Sequence, residues 1–258
     1  MHRIFSTVVS TGSALAIAAL SLSAQSASAA NYGNFTGNNF SFLNVSDING
    51  LFGAPTVSAN SLDFTPNSFE AECSASATCP PTPHTVTDTL TLQIQSDGSG
   101  FIGGINLNEA GDTTLSSFLN AFAATTVSAD VFVDVLELNG TSINNLNLTT
   151  QMNFSSSGDF STTTDGSGTH LWTGFLGLDI DQLIADAGLT GNATLVEVSL
   201  SNTLTAFAES GASARIEKKD IDGLAIKVIP EPGTSLLMGL GLAGLAYGGR
   251  RTGGRRTV

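Results

Sequence analysis

The sequence predicts an all-β protein: mainly an antiparallel β-sandwich, jelly-roll or immunoglobulin-like, with one or two short helices, followed by a single C-terminal hydrophobic helix. Three observations predict it. Long runs alternate apolar and polar residues with period two, as in Val86, Leu90, Leu92 and Ile94 against Thr and Gln, the pattern of a half-buried strand. Turn-forming pairs such as Asn139-Gly140 separate these runs, because both residues tolerate positive φ. Long helices do not alternate with the strands, which argues against a parallel α/β sheet.

The elements follow in chain order. Met1-His2-Arg3 supplies a positive start, residues 4–22 are mostly small and apolar, and Ala27-Ser28-Ala29 gives a small-x-small site. That is the layout of a secretory signal peptide, so the domains are expected at 1–29 (signal peptide), 30–229 (extracellular sandwich) and 230–258 (C-terminal signal). Short strands are expected near 40–45 and 56–64, and a longer one over 85–95. Asp97-Gly98-Ser99-Gly100 reads as a turn, with 101–107 returning as a hairpin partner. Leu115, Phe118, Leu119 and Phe122 recur at helical spacing, which predicts a short helix within 112–124. Strands are expected again over 127–138, 143–154, 170–180 and 193–207, with a turn or two of helix over 179–187. Segments 214–218 and 224–229 flank Asp222-Gly223, a hairpin signal.

Within 30–229 there are four basic side chains (Arg215, Lys218, Lys219, Lys227) against 21 acidic ones, a net of −17. Such a surface repels nucleic acid and anionic membranes. The only cysteines, Cys73 and Cys79, enclose a short loop. In an exported chain they are expected as a local disulfide rather than a metal site, with a stabilisation of roughly 2–3 kcal/mol on the chain-entropy view.

Catalytic sets are poorly represented. Only His84 and His170 remain beyond residue 29, and no Gly-x-Ser-x-Gly elbow occurs, so an activated hydroxyl nucleophile lacks its usual partners. The acid pairs Asp130/Asp134, Asp179/Asp181 and Glu70/Glu72 are what chance supplies in so acidic a chain. Asp179-Ile180-Asp181 and Asp220-Ile221-Asp222-Gly223 begin like calcium loops but lack the later oxygen ligands. No cofactor and no catalytic or metal-binding residue is assigned.

The C-terminus is more specific. Pro230-Glu231-Pro232 precedes an uncharged run, and residues 233–249 as a helix would span about 25 Å, a little under the ~30 Å hydrocarbon core. Arg250, Arg251, Arg255 and Arg256 follow and would hold that end in the cytoplasm. The prolines would stop the helix from extending backwards. Gly239, Gly241 and Gly244 match a dinucleotide-binding spacing, but that motif needs a preceding strand, a following amphipathic helix and an acid about twenty residues on, and the sequence ends at Val258 before such an acid.

Pro230, Glu231 and Pro232, then a short Leu/Gly/Ala-rich run, then Arg250 and Arg251 together resemble the PEP-CTERM sorting signal of exopolysaccharide-producing Gram-negative bacteria. The resemblance covers about the last thirty residues. Its arginine cluster departs from the pattern, being split by Thr252-Gly253-Gly254. It implies recognition by an exosortase-type membrane protease-transpeptidase. The inner membrane would be occupied transiently by the C-terminal helix, and the body would be delivered to the cell surface or extracellular matrix. The expected role is non-enzymatic: structural, adhesive or glycan-contacting, with exopolysaccharide or other matrix components as partners. Two alternatives stand beside it, a secreted carbohydrate-active enzyme on a sandwich and a single-pass anchored protein that keeps its tail.

Overall fold

A computed structural model describes residues 29–231, apart from 67, 75–78, 80–81, 145 and 220–223. The expected signal peptide, Pro232, the apolar run 233–249, Arg250, Arg251 and the Asp222-Gly223 turn therefore lie outside the described residues. Numbered in chain order, the strands form two antiparallel sheets in a sandwich-like arrangement. The first sheet runs β1 (Ala30–Thr36), β2 (Phe40–Asp47), β6 (His84–Ser96), β14 (Ala193–Ala208), β8 (Ala123–Leu138) and β10 (Asn147–Gln151). Two short strands, β9 (Thr141–Ser142) and β12 (Asp159–Ser161), also pair with β8. The second runs β11 (Asn153–Phe154), β13 (Gly168–Asp179), β7 (Ile102–Ser117), β16 (Leu224–Pro230), β4 (Ser61–Phe64) and β3 (Pro55–Ser58). In that sheet β15 (Ala212–Lys218) lies between β7 and β5 (Glu70–Ser74).

Alternation builds the core. Leu90, Leu92 and Ile94 on β6 are buried, as are Val131, Val133 and Val135 on β8 and Val196, Val198 and Leu200 on β14. They form one cluster with Ile105, Leu107, Ile216, Ile226, Val228 and Trp172 of the second sheet. Each such side chain withdrawn from water contributes roughly 1.5–3 kcal/mol before the entropy cost of ordering it. The opposite residues of β6 and β14 face out as a ladder of hydroxyl pairs: Thr85–Thr205 at 3.1 Å, Thr87–Thr203 at 3.0 Å and Thr89–Ser201 at 3.1 Å.

The strands expected near 40–45 and over 85–95, 127–138, 170–180 and 193–207 are present as β2, β6, β8, β13 and β14, and 56–64 is the hairpin β3–β4. Asn139 and Gly140, at φ 50° and 75°, close the β8–β9 hairpin as their residue types require. The helix expected over 179–187 is α1 (Ile180–Asp186), capped by the Asp179 side chain accepting from the Gln182 amide.

Four expectations are corrected. There is no helix within 112–124: β7 continues to Ser117 and β8 begins at Ala123. Leu119 and Asn120 sit at positive φ, 53° and 61°, and Phe118 and Leu119 are 69% and 84% exposed. The helical spacing there is a strand end, a turn and a strand start read in series. The turn at Asp97–Gly100 does not close a hairpin, because β6 and β7 belong to different sheets and the turn crosses between them. Segment 143–154 is not one strand: it supplies β10 to the first sheet and β11 to the second, the Met152 amide bonding the Ala129 carbonyl between them. Finally, β15 and β16 do not pair with each other. Both pair with β7, β15 along Gly111–Ser117 and β16 along Ile102–Glu109, as successive stretches of one edge.

Candidate functional site: where the last strand meets Pro-Glu-Pro

The expected sorting residues begin where the fold ends. β16 is an interior strand, bonded to β7 on one side and β4 on the other. Its last residue, Pro230, pairs with Ile102 after a register shift at Ile229. Proline has no amide proton to extend the ladder. One more backbone bond follows, the Glu231 amide donating to the Phe101 carbonyl at 3.1 Å.

Glu231 faces Asp181 in the first turn of α1. Gly103 of β7 makes room for both: a Cβ there would lie 3.1 Å from Asp181 Oδ2 and 3.1 Å from the Glu231 Cα. Burial, the neighbouring Asp181 charge and a hydrogen bond with Asp181 push the Glu231 carboxyl up to about 7. Asp181 is raised too, chiefly by burial and further by Asp179, against the lowering effect of its bond to Glu231. A cleft of about 520 Å³ opens beside them, with Gly104, Gly177, Asp179, Asp181 and Pro230 among its lining residues.

Cys73 and Cys79 are joined as a disulfide, with Cα atoms 5.3 Å apart, and both are buried. The remaining residues considered for chemistry are dispersed. His84 on β6 meets the backbone of Glu72 at 3.1 Å, and His170 on β13 lies 3.4 Å from the Gly166 carbonyl. Glu70 is ion-paired with Arg215 at 2.5 Å. Asp130 accepts from Gln151, while Asp134 opposes Glu197 on β14, and burial together with that charge raises its carboxyl. Asp179 is occupied as the cap of α1. Among the described residues no three His, Cys, Asp or Glu side chains gather as a metal-binding group.

Two buried polar clusters escaped the sequence reading. In the first, Lys218 Nζ lies 2.7 Å from Glu109 Oε1, and Asn202 of the opposite sheet donates to the same oxygen at 2.6 Å. The ammonium sits over the rings of Phe52 and Phe69, at 5.3 and 5.4 Å. Burial pulls the Lys218 pKa down, and Glu109 opposes that pull. In the second, the Asp88 carboxylate accepts the amides of Ile48, Asn49, Leu51 and Thr89. Asp47 accepts those of Gly50 and Phe52 together with the Tyr32 hydroxyl. Burial raises Asp88 despite those bonds, and burial beside Asp47 raises the Tyr32 hydroxyl. The only sequence signal for either cluster is a polar residue on the inward parity of a strand, at positions 47, 88, 109, 202 and 218.

These features define a β-rich body whose last strand runs without a linker into Pro230 and Glu231. Residues 228–251 match the PEP-CTERM protein-sorting motif, so the chain carries the signal of an exported protein handled by an exosortase and sent across the membrane to the cell surface. The match spans Pro230, Glu231, Pro232, Arg250 and Arg251 together. No curated protein matches the chain. Among the described residues, no helix is long and apolar enough to cross a membrane.

Proposed function

We propose that this chain is a non-enzymatic structural or glycan-contacting protein of the cell surface or exopolysaccharide matrix. Its C-terminal tail is removed by an exosortase-type protease-transpeptidase that reads Pro230, Glu231 and Pro232, with residues 233–249 as a transient membrane helix and Arg250/Arg251 as its stop. One observation carries the reading: the Pro-Glu-Pro begins on Pro230, the last residue of β16, so processing beyond it keeps every described strand of the sandwich. The outward hydroxyl ladder of β6 and β14 is a neutral surface suited to polysaccharide hydroxyls, and an acidic body repels polyanions.

The test is Glu231→Ala in a host with the exosortase. Full-length precursor should accumulate in the inner membrane, and normal release of the mutant would refute the sorting assignment. Residues 30–231 screened against neutral and anionic exopolysaccharides should retain the neutral ones. Retention of neither, together with hydrolysis of either, would favour the enzyme alternative.

A further inference from the structure

The recognition glutamate of the sorting signal is not free of the fold. The Glu231 amide is bonded to the Phe101 carbonyl, and its side chain and that of Asp181 both stand over Gly103, where even a methyl group would lie 3.1 Å from Asp181 Oδ2 and 3.2 Å from the Glu231 Cγ. α1 brings Asp181 to this point because Asp179 caps it at the end of β13, and β13 is bonded to β7 through Asp179↔Gly104. Two carboxyl groups so placed cannot both ionise without repulsion, but sharing one proton they form a short, strong bond.

We propose that Asp181 is a positioning residue for the sorting signal: it clasps Glu231 against the start of β7 when the pair holds a proton and frees it when both carboxyls ionise. This rests on the sorting reading above and adds a pH-dependent presentation of the signal to it. The charged groups acting on the pair are one another and Asp179, which disfavours ionisation of Asp181 further. The neighbouring residues of β7 and β16, Ile102, Gly103, Gly104, Ile229 and Pro230, are uncharged, and neither carboxyl has an ion-pair partner among the described residues.

The sign follows from linkage. The clasped state binds the extra proton, so it is fully favoured below the ordinary glutamate range. It weakens by up to roughly tenfold per pH unit as pH rises to about 7, and then levels off. A periplasm or matrix near neutrality lies on the upper part of that slope.

The experiment uses the full-length chain in detergent micelles, with ¹³C-labelled carboxyl carbons and the Glu231 signal assigned by its loss in Glu231→Gln. Glu231 should titrate near neutrality in the wild type and within the ordinary glutamate range in Asp181→Asn, a nearly isosteric change whose folding is checked by the Trp172 fluorescence melt. Protection of the Glu231 amide from hydrogen exchange should fall between pH 5 and 7 in the wild type and stay flat in Asp181→Asn. An ordinary titration in the wild type, or a raised one that survives Asp181→Asn, overturns the clasp. The two readings fail separately: an ordinary titration with exosortase-dependent processing intact removes the clasp alone, and a titrating clasp in a chain processed without exosortase removes the sorting reading alone.

Discussion

Lys218 Nζ lies 2.7 Å from Glu109 Oε1 with both side chains fully withdrawn from water, and Asn202 ties that oxygen to the opposite sheet. Removing one member strands the other charge, so Lys218→Met or Glu109→Leu alone should cost about 3–5 kcal/mol. The double variant should recover much of this, since an apolar pair does not carry the desolvation penalty. Urea unfolding of the four proteins as a double-mutant cycle measures it, and additive losses would show that the two side chains do not act as a pair.

Asp88 holds the 48–51 loop through amides that converge on its two oxygens. Asp88→Asn replaces one acceptor by a donor facing the Leu51 or the Ile48 and Asn49 amides. Each orphaned amide costs about 1–3 kcal/mol. The variant should unfold at lower denaturant, with exchange protection of residues 48–51 lost before that of β14.

Gly111 is required by contact rather than by turn geometry. A Cβ there would stand 2.2 Å from the Trp172 ring and 2.2 Å from the Glu217 carbonyl. Gly111→Ala should destabilise by about 1–3 kcal/mol through overpacking and shift the Trp172 emission, both readable in one fluorescence-monitored melt.

The Cys73–Cys79 bridge ties the end of β5 to the segment before β6. Intact-mass analysis after alkylation without reductant should show no modified thiol. Cys73→Ser/Cys79→Ser should lose about 2–3 kcal/mol, and two alkylated cysteines in the native protein would contradict the bridge.

The strongly periodic stretches were legible from sequence because one face of each meets the core: β6, β8, β13 and β14 all alternate along their length. Partnership was less so. Val86–Ile94 and the strand after Gly100 carry the same alternation whether their turn closes a hairpin or crosses between layers, and nothing local distinguishes the two. Leu115, Phe118, Leu119 and Phe122 imitate a helix because a strand end and a two-residue reversal reproduce its spacing. At the site, Pro230 and Glu231 were visible as a motif and Asp181 as one of a pair of acids, but their meeting was not. The approach of a residue 50 positions upstream depends on α1, on the register of β13 and on the missing side chain of Gly103.

The placement of β16 has a mechanical consequence. A load applied at residue 230, as from a covalent tether left there by a transpeptidase, would run along a strand bonded on both sides, to β7 and to β4. Such a pull shears both ladders, whose bonds lie across its direction and resist together, instead of peeling an edge one bond at a time. Attached by this end, the domain would bear tension through the middle of a sheet.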